Sequence, residues 1–160
     1  MKIEQKKILD ACCGGKMFWF NKNHPNALYV DRRTLPKEKL CNGQLFEVNP
    51  DKIMDFRDLK LADDSFSLVI FDPPHLRMNG ESGWMAKKYG RLDRKTWQED
   101  LRQGFSECFR VLKKDGVLIF KWNDFERPVR EILELTPMKP IIGHTSGASR
   151  SKTHWITFMK

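Results

Sequence analysis

The segment from Phe66 to His75 constrains the fold of this chain more than any other. Its first six residues are rich in β-branched and aromatic side chains and predict a buried strand. Asp72 follows where the strand should end, and Pro73-Pro74 removes two backbone donors and fixes φ twice, so the chain leaves the sheet. A carboxylate and two carbonyl groups therefore lie beyond the carboxyl edge of a strand, where open α/β sheets bind ligands. On its own, the segment also fits a proline turn with a solvated Asp72.

Two further apolar segments end in an acid in the same way. The strand over residues 7–10 ends at Asp10 and runs into a turn of small residues, Ala11 to Gly15, whose glycines allow a ligand to approach the backbone. The strand over residues 28–31 ends at Asp31, about 20 residues further on, the spacing at which nucleotide-binding folds place a ribose-binding carboxylate. The three strand ends together favour a nucleotide-like ligand at one edge of a sheet.

With these motifs the sequence resembles the class I S-adenosylmethionine-dependent methyltransferases, over residues 7–158. The resemblance implies S-adenosylmethionine as the cofactor, with Asp31 on its ribose and Asp58 beside its adenine. The cofactor-binding residues that it implies are Asp10, Ala11, Cys12, Gly14, Asp31, Asp58, Leu59 and Asp72. The segment Asp72-Pro73-Pro74-His75 is similar to the catalytic motif of amino-methyltransferases, which methylate exocyclic amines of bases. Small enzymes of this type are carried by phages and prophages.

The catalytic segment suits the chemistry of an amine. An exocyclic amine has its lone pair delocalised into the ring, and Asp72 together with the Pro73 carbonyl can accept its two N–H groups and raise its nucleophilicity. Positioning supplies most of the rate of methyl transfer from a sulfonium. His75 departs from the family, which carries Tyr, Phe or Trp at this position to stack on the target base. Imidazole can also stack and can form hydrogen bonds, or it can simply cap the loop.

The order of predicted elements is that of an α/β protein. We expect a doubly wound, Rossmann-like, mostly parallel seven-stranded sheet with helices on both faces and an antiparallel C-terminal hairpin. The predicted helices cover residues 16–21, 35–39, 96–114 and 127–135. The predicted strands beyond those already described cover residues 44–48, 52–56, 117–122, 139–144 and 154–159, with a flexible loop over 145–152. The whole of 1–160 is expected to be a single methyltransferase domain without a separate target-recognition domain.

Composition narrows the class of partner. The net charge of +8 and a pI near 9.4 favour a nucleic acid, with DNA favoured over RNA. No signal peptide or bilayer-spanning apolar run is visible, and the four cysteines lack a paired metal spacing, so we expect a cytoplasmic protein with reduced thiols, no metal and no membrane partner. Target recognition would come from short loops, a second subunit in a homodimer or a partner protein.

The segment over residues 76–93 has no regular apolar period and mixes basic with aromatic side chains. It is predicted to be a substrate lid that contacts an anionic substrate, or else a solvated loop. Its basic residues of interest are Arg77, Lys87, Lys88 and Arg91.

Other functions remain open on the sequence alone. The substrate of the methyltransferase can be a small molecule or a nucleotide instead of a nucleic acid. Asp51, Asp58 and Lys60 match the bare pattern of a magnesium-dependent nuclease, in which two acids hold the metal and a lysine orients water. A non-catalytic nucleic-acid-binding module would use the basic charge and bind no cofactor. Methylation of a base carbon is excluded, because it needs a cysteine that the catalytic segment lacks. Cys12 and Cys13 are expected to be packing residues.

Overall fold

The computed structural model describes residues 6–40, 43–75, 88, 90–148 and 151–160. These residues form nine strands and two helices, and six of the strands precede the first helix along the chain. The strands are β1 (Ile8–Asp10), β2 (Ala27–Asp31), β3 (Leu35–Lys39), β4 (Leu45–Val48), β5 (Lys52–Ile53), β6 (Phe66–Phe71), β7 (Leu112–Asn123), β8 (Ile142–Ala148) and β9 (Ser151–Met159). The helices are α1 (Trp97–Val111) and α2 (Val129–Leu133).

Seven of the strands form one sheet in the order β5-β2-β1-β6-β7-β9-β8. The strands from β5 to β7 in this order run parallel, whereas β9 is antiparallel to both of its neighbours. This architecture confirms the predicted mostly parallel seven-stranded sheet with an antiparallel C-terminal hairpin. Parallel neighbours end at the same edge, so the acids that end β1 and β2 and the acid that follows β6 are gathered at one side of the sheet.

The main core lies between the sheet and α1. Residues of one sheet face, including Phe71 and Phe120, are fully buried together with Phe105 of α1, and their ring centroids lie 4.9–5.8 Å apart. The helix carries apolar residues at the predicted helical spacing, and it approaches the sheet closely at Gly104, where an added Cβ would lie 2.6 Å from Phe71. Aromatic packing of this kind fixes the end of β6 and therefore the position of the acid that follows it.

The other face of β1 and β2 is covered by turns where the sequence predicts a helix over residues 16–21. That prediction is wrong: the segment is apolar all round, so it has no face to bury as a helix, and Lys16 has a positive φ of 52°. Trp19 packs edge-on against Tyr29 at 4.9 Å and closes a small core with Cys13 and Ala27. A compact turn, rather than a helix, thus follows the first strand.

Four more segments differ from prediction. Residues 35–39 form β3, which pairs with β4 over a separate small core, instead of a helix. Helix α1 ends at Val111, before the predicted residues 113–114, because Leu112 is already extended and pairs with Phe66. The predicted flexible loop over 145–152 largely consists of paired strand residues, and only 149–150 lie outside the described part. The strand predicted over 52–56 is limited to β5.

Within the described residues, no helix combines the length and the apolar character that crossing a membrane requires.

Candidate cofactor and substrate site

A cavity lies at the carboxyl edge of the central strands, and it brings together most of the predicted site residues. Those that line it are Ala11, Cys12, Gly14, Asp31, Asp72, Pro73, Pro74 and His75. The predicted cofactor turn and the predicted catalytic segment therefore face one space, although more than 50 residues separate them in the sequence. The roles of these residues in cofactor binding and catalysis remain predictions, whereas their common location at one cavity follows from the fold.

Asp31 joins the turn after β1 to the end of β2. Its Oδ2 accepts the Gly14 backbone N–H at 2.9 Å, and its Oδ1 accepts the backbone N–H and the Nε–H of Arg33 at 2.9 and 3.2 Å. The residue is only 4% exposed. Asp31 thus braces the turn, and a ribose hydroxyl would have to share or replace the Arg33 contact.

Asp10 lies below the cavity and is completely buried. The Trp19 Nε1–H donates to its Oδ2 at 2.7 Å, while its buried Oδ1 has no hydrogen-bond partner among the described residues. Burial, reinforced by the charges of Asp72 and Asp31 and opposed by the Trp19 hydrogen bond, raises the pKa of Asp10 to about 7. Among the described residues, Oδ1 is therefore a polar atom that is left unsatisfied beneath the cavity.

The cysteines of the turn are suited to packing. Burial raises the pKa of the Cys12 thiol well above its ordinary value, and it has the same effect on Cys13. A buried thiol of this kind is a poor nucleophile, in agreement with the packing role expected from the sequence.

Asp72 forms an ion pair that sequence reasoning missed. The Lys121 Nζ donates to Asp72 Oδ2 at 2.7 Å, and each side chain is only 19% exposed. Phe71 pairs with Phe120 in the sheet, so the residues that follow them are neighbours across the two strands. Burial raises the pKa of Asp72, and the ammonium of Lys121 opposes this rise. The sequence does carry a signal for this ion pair, because Lys121 is a charged residue within the otherwise apolar run 117–122.

The Lys121 ammonium is also enclosed by two aromatic rings. Its Nζ lies 5.5 Å from the ring centroid of Phe18 and 5.6 Å from that of Trp155, and the two rings meet edge-on at 5.4 Å. These distances fall within the range of cation–π attraction. The rings and the carboxylate together hold the lysine in one orientation.

His75 is held in its neutral form. Burial, together with the nearby Lys121 charge, lowers its pKa to about 4. Its ring lies 6.2 Å from that of Trp122 in an edge-on arrangement. A neutral imidazole can stack on a base or form a hydrogen bond without bringing a second positive charge to the site.

Three predicted cofactor residues do not line the cavity: Asp10, which lies below it, Leu59 and Asp58. Leu59 is buried in the core and its N–H donates to Glu107 at 2.7 Å. Asp58 is exposed and pairs with Lys60. The cavity wall in this region is instead formed by Met54 and Phe56. These residues precede the predicted pair by only a few positions, and their apolar side chains suit the flat face of an adenine.

Only the end of the predicted lid is described, since residues 76–87 and 89 lie outside the described ranges. Lys88 and Gly90 line the cavity. Gly90 has a φ of +70°, and a Cβ there would lie 3.1 Å from Pro74 and 3.3 Å from Arg33. The backbone at Gly90 therefore lies close both to the predicted catalytic segment and to the residues after β2. A glycine is suited to this position because it tolerates the positive φ angle and leaves room for both neighbours.

The predicted nuclease residues do not share one environment. Asp51 accepts the Tyr29 backbone N–H at 3.1 Å and pairs with Lys6 at 3.3 Å, whereas Asp58 pairs with Lys60. Among the residues that the structure describes, no group of three His, Cys, Asp or Glu side chains is arranged to hold a metal. The geometry therefore favours the nucleotide-like site over the metal-dependent one.

Comparisons with known proteins find similarity in structure. No protein-family model matches the sequence, and no curated protein matches it. A SAM-dependent methyltransferase from Methanosarcina mazei superposes with a TM-score of 0.60 at 11% identity, covering 98% of this chain and 93% of its own.

Two further structures are similar over most of their length. The N-methyltransferase NodS from Bradyrhizobium japonicum WM9 gives a TM-score of 0.59 at 9% identity, covering 96% of this chain and 85% of its own. A protein from Pyrococcus horikoshii OT3 gives 0.56 at 16% identity, covering 97% and 82%. The chain therefore has the Rossmann-like fold that is found in SAM-dependent methyltransferases.

Proposed function

We propose that the protein is a methyltransferase that uses S-adenosylmethionine to methylate an exocyclic amine of a nucleic-acid base, adenine N6 or cytosine N4. The observation that carries this proposal is the meeting of Asp72-Pro73-Pro74-His75 with the glycine turn and Asp31 in one cavity. The same edge of the sheet thus offers a carboxylate beside a proline carbonyl, and a second carboxylate at the spacing of a ribose-binding acid.

The residues around the cavity fit this cofactor. Asp31 offers carboxylate oxygens to ribose hydroxyls, and Met54 and Phe56 offer an apolar wall to an adenine ring. When bound, S-adenosylmethionine supplies an electrophilic methyl group on a positively charged sulfur. The carboxylates of the cavity complement that positive charge.

The catalytic segment would hold the target amine. Oδ2 of Asp72 already accepts from Lys121, so Oδ1 is the oxygen that we expect to accept an amine N–H. The Pro73 carbonyl would accept the second N–H, since proline has no backbone donor to compete for it. Both contacts localise the nitrogen lone pair and orient it toward the methyl group. Neutral His75 would lie against the base.

Lys121 is assigned as a positioning residue. Asp72 is buried, which favours its protonated form, and a protonated acid would offer a donor where the amine needs an acceptor. The ammonium at 2.7 Å favours the ionised form and fixes the carboxylate in place. The rings of Phe18 and Trp155 keep Lys121 itself in this position.

Nucleic acid is proposed as the substrate, with DNA favoured over RNA, because the chain carries a net charge of +8 and the cavity continues into a strongly basic groove described below. A small amine would not require this charge.

The test is transfer of labelled methyl groups by the purified protein to single-stranded DNA, double-stranded DNA, RNA and free nucleosides. We expect label in N6-methyladenine or N4-methylcytosine after digestion, and none with Asp72→Asn. Label found only in nucleosides would move the proposal to small substrates. Calorimetry that detects no S-adenosylmethionine binding at millimolar concentration would refute it altogether.

A further inference from the structure

A second cavity opens beside the candidate site. It has a volume of about 530 Å³, and it shares Arg32, Phe56 and Pro74 with the first cavity. Pro74 belongs to the catalytic segment. A ligand in this groove would therefore pass directly beside the residues that we expect to hold the target amine.

The groove is strongly basic. Its cationic residues come from three separate parts of the chain and are Arg32, Arg57, Arg91, Arg94 and Lys95. Two acids also line it, Asp93 and Asp100. The positive charges outnumber the negative ones, and a concave surface concentrates the field of such charges.

Both acids of the groove are engaged in holding the local fold. Asp93 Oδ1 accepts the backbone N–H groups of Lys95 at 2.7 Å and Thr96 at 3.3 Å, just before α1. Asp100 is buried, and it accepts Arg57 Nη1–H and the Thr96 hydroxyl at 3.0 Å each. Asp100 is therefore turned into the protein, whereas Asp93 is exposed and holds the backbone through Oδ1. The five cations still outnumber these two acids along the groove.

Two of the five cations are paired with Asp55: Arg32 Nη1 lies 4.0 Å from its Oδ2, and Arg57 is held more tightly and braces the fold. Arg57 donates to Asp55 at 2.6 and 2.9 Å and to Asp100 at 3.0 Å, and these hydrogen bonds raise its pKa. Its charge is balanced within the protein. Arg94 and Lys95 are exposed on the groove, and the Arg32 side chain is 46% exposed.

We propose that this groove binds the phosphodiester backbone of the nucleic-acid substrate and directs the target base past Pro74 toward Asp72. The proposal rests on the proposed function and adds the location of the backbone. A single phosphate would occupy a small part of the volume and meet one or two of the cations. A row of phosphates spaced along a strand matches the size and the spread of charge much better.

The test compares two double variants that remove the same charge. Arg94→Ala/Lys95→Ala changes the groove, whereas Lys113→Ala/Lys114→Ala removes two exposed lysines at the opposite end of the sheet, near the start of β7. Affinity for short fluorescein-labelled single-stranded DNA and RNA is measured by anisotropy over a range of salt concentrations. Inorganic phosphate and mononucleotides serve as competitors.

We expect the groove variant to bind oligonucleotides more weakly, with the slope of log Kd against log salt reduced by about 0.7 for each phosphate that the variant no longer neutralises. S-adenosylmethionine affinity should be unchanged, and the control variant should retain most of the slope. Equal effects of the two variants, or no effect of the groove variant, would overturn the proposal. Displacement of the labelled oligonucleotide by inorganic phosphate at a concentration comparable to that of the oligonucleotide would also overturn it. The proposed function fails separately, if the wild type binds nucleic acid through the groove but transfers no methyl group to it.

Discussion

The ion pair between Lys121 and Asp72 predicts a specific change in the pH dependence of catalysis. Lys121→Met keeps the length of the side chain and its fit between Phe18 and Trp155, but it removes the charge that faces the carboxylate. Both partners are only 19% exposed, so the pair is shielded from solvent. Removing one partner of a buried pair typically costs about 3–5 kcal/mol, because the other charge is left uncompensated.

That energy acts on the ionisation of Asp72. The pKa of this carboxyl is already raised by burial, and without Lys121 it rises further. At a fixed pH below that pKa, a loss of about 3 kcal/mol lowers the ionised fraction of Asp72 by about a hundredfold. In the proposed mechanism the ionised form accepts the amine, so turnover in the variant should fall at neutral pH and recover as the pH is raised.

The assay is turnover at saturating cofactor as a function of pH, for Lys121→Met, Lys121→Arg and the wild type. The other titratable groups near Asp72 include Asp10, Cys12 and His75. The substitution removes the Lys121 charge that helps to lower the pKa of His75, but burial, the larger cause of that lowering, remains. We expect the acid limb to move to higher pH in Lys121→Met and to stay near that of the wild type in Lys121→Arg. A uniform loss of turnover at every pH, without movement of the limb, would refute a role through ionisation.

Three further predictions follow from the site and its support. Asp72→Asn should lower turnover by a factor of about a hundred or more, with little change in the cofactor affinity measured by calorimetry. Asp31→Ala should instead weaken cofactor binding, and the reverse pattern would exchange the roles of the two residues. Asp10→Asn should raise the free energy of unfolding above pH 7 by up to about 4 kcal/mol, as measured by chemical denaturation. The reason is that the raised pKa of Asp10, about 7, makes the stability of the wild type fall between pH 4 and 7. The gain should therefore vanish below pH 4. Gly104→Ala should destabilise the fold by about 1–3 kcal/mol, because its Cβ would lie 2.6 Å from Phe71, and an unchanged melting temperature would contradict this packing.

The elements of the site that could be predicted are those whose signals are local. An apolar run that ends in an acid and is followed by prolines or glycines determines both the strand and the loop, and this pattern locates Asp72 and Gly14. Parallel topology then brings the strand ends together. Helix α1 is predictable because its apolar residues follow one period over fifteen residues.

The missed features depend on contacts between distant parts of the chain. The partner of Asp72 lies 49 residues away, and only the register between β6 and β7 makes Lys121 its neighbour. The apolar character of the segment over 16–21 suggests a helix, but its form is set by packing on β2 and by the Trp19 hydrogen bond to Asp10. Contacts between distant residues determine the structure in both cases, and in the second they override a weak local preference for helix.

The contact between Phe18 and Trp155 affects the order in which the parts of the candidate site form during folding. One ring follows the first strand and the other belongs to the last strand of the chain, so the enclosure of Lys121 depends on a contact of very high sequence separation. Contacts of this kind carry the largest loop-closure entropy and tend to form late in folding. The predicted cofactor turn depends on β1, β2 and β6, which are neighbours in the sheet: the Cys13 N–H donates to Val30 and the Ala11 N–H donates to Ile70. A chain in which β9 has not yet docked would thus have its cofactor turn assembled while the lysine beside Asp72 still lacks one of its two rings.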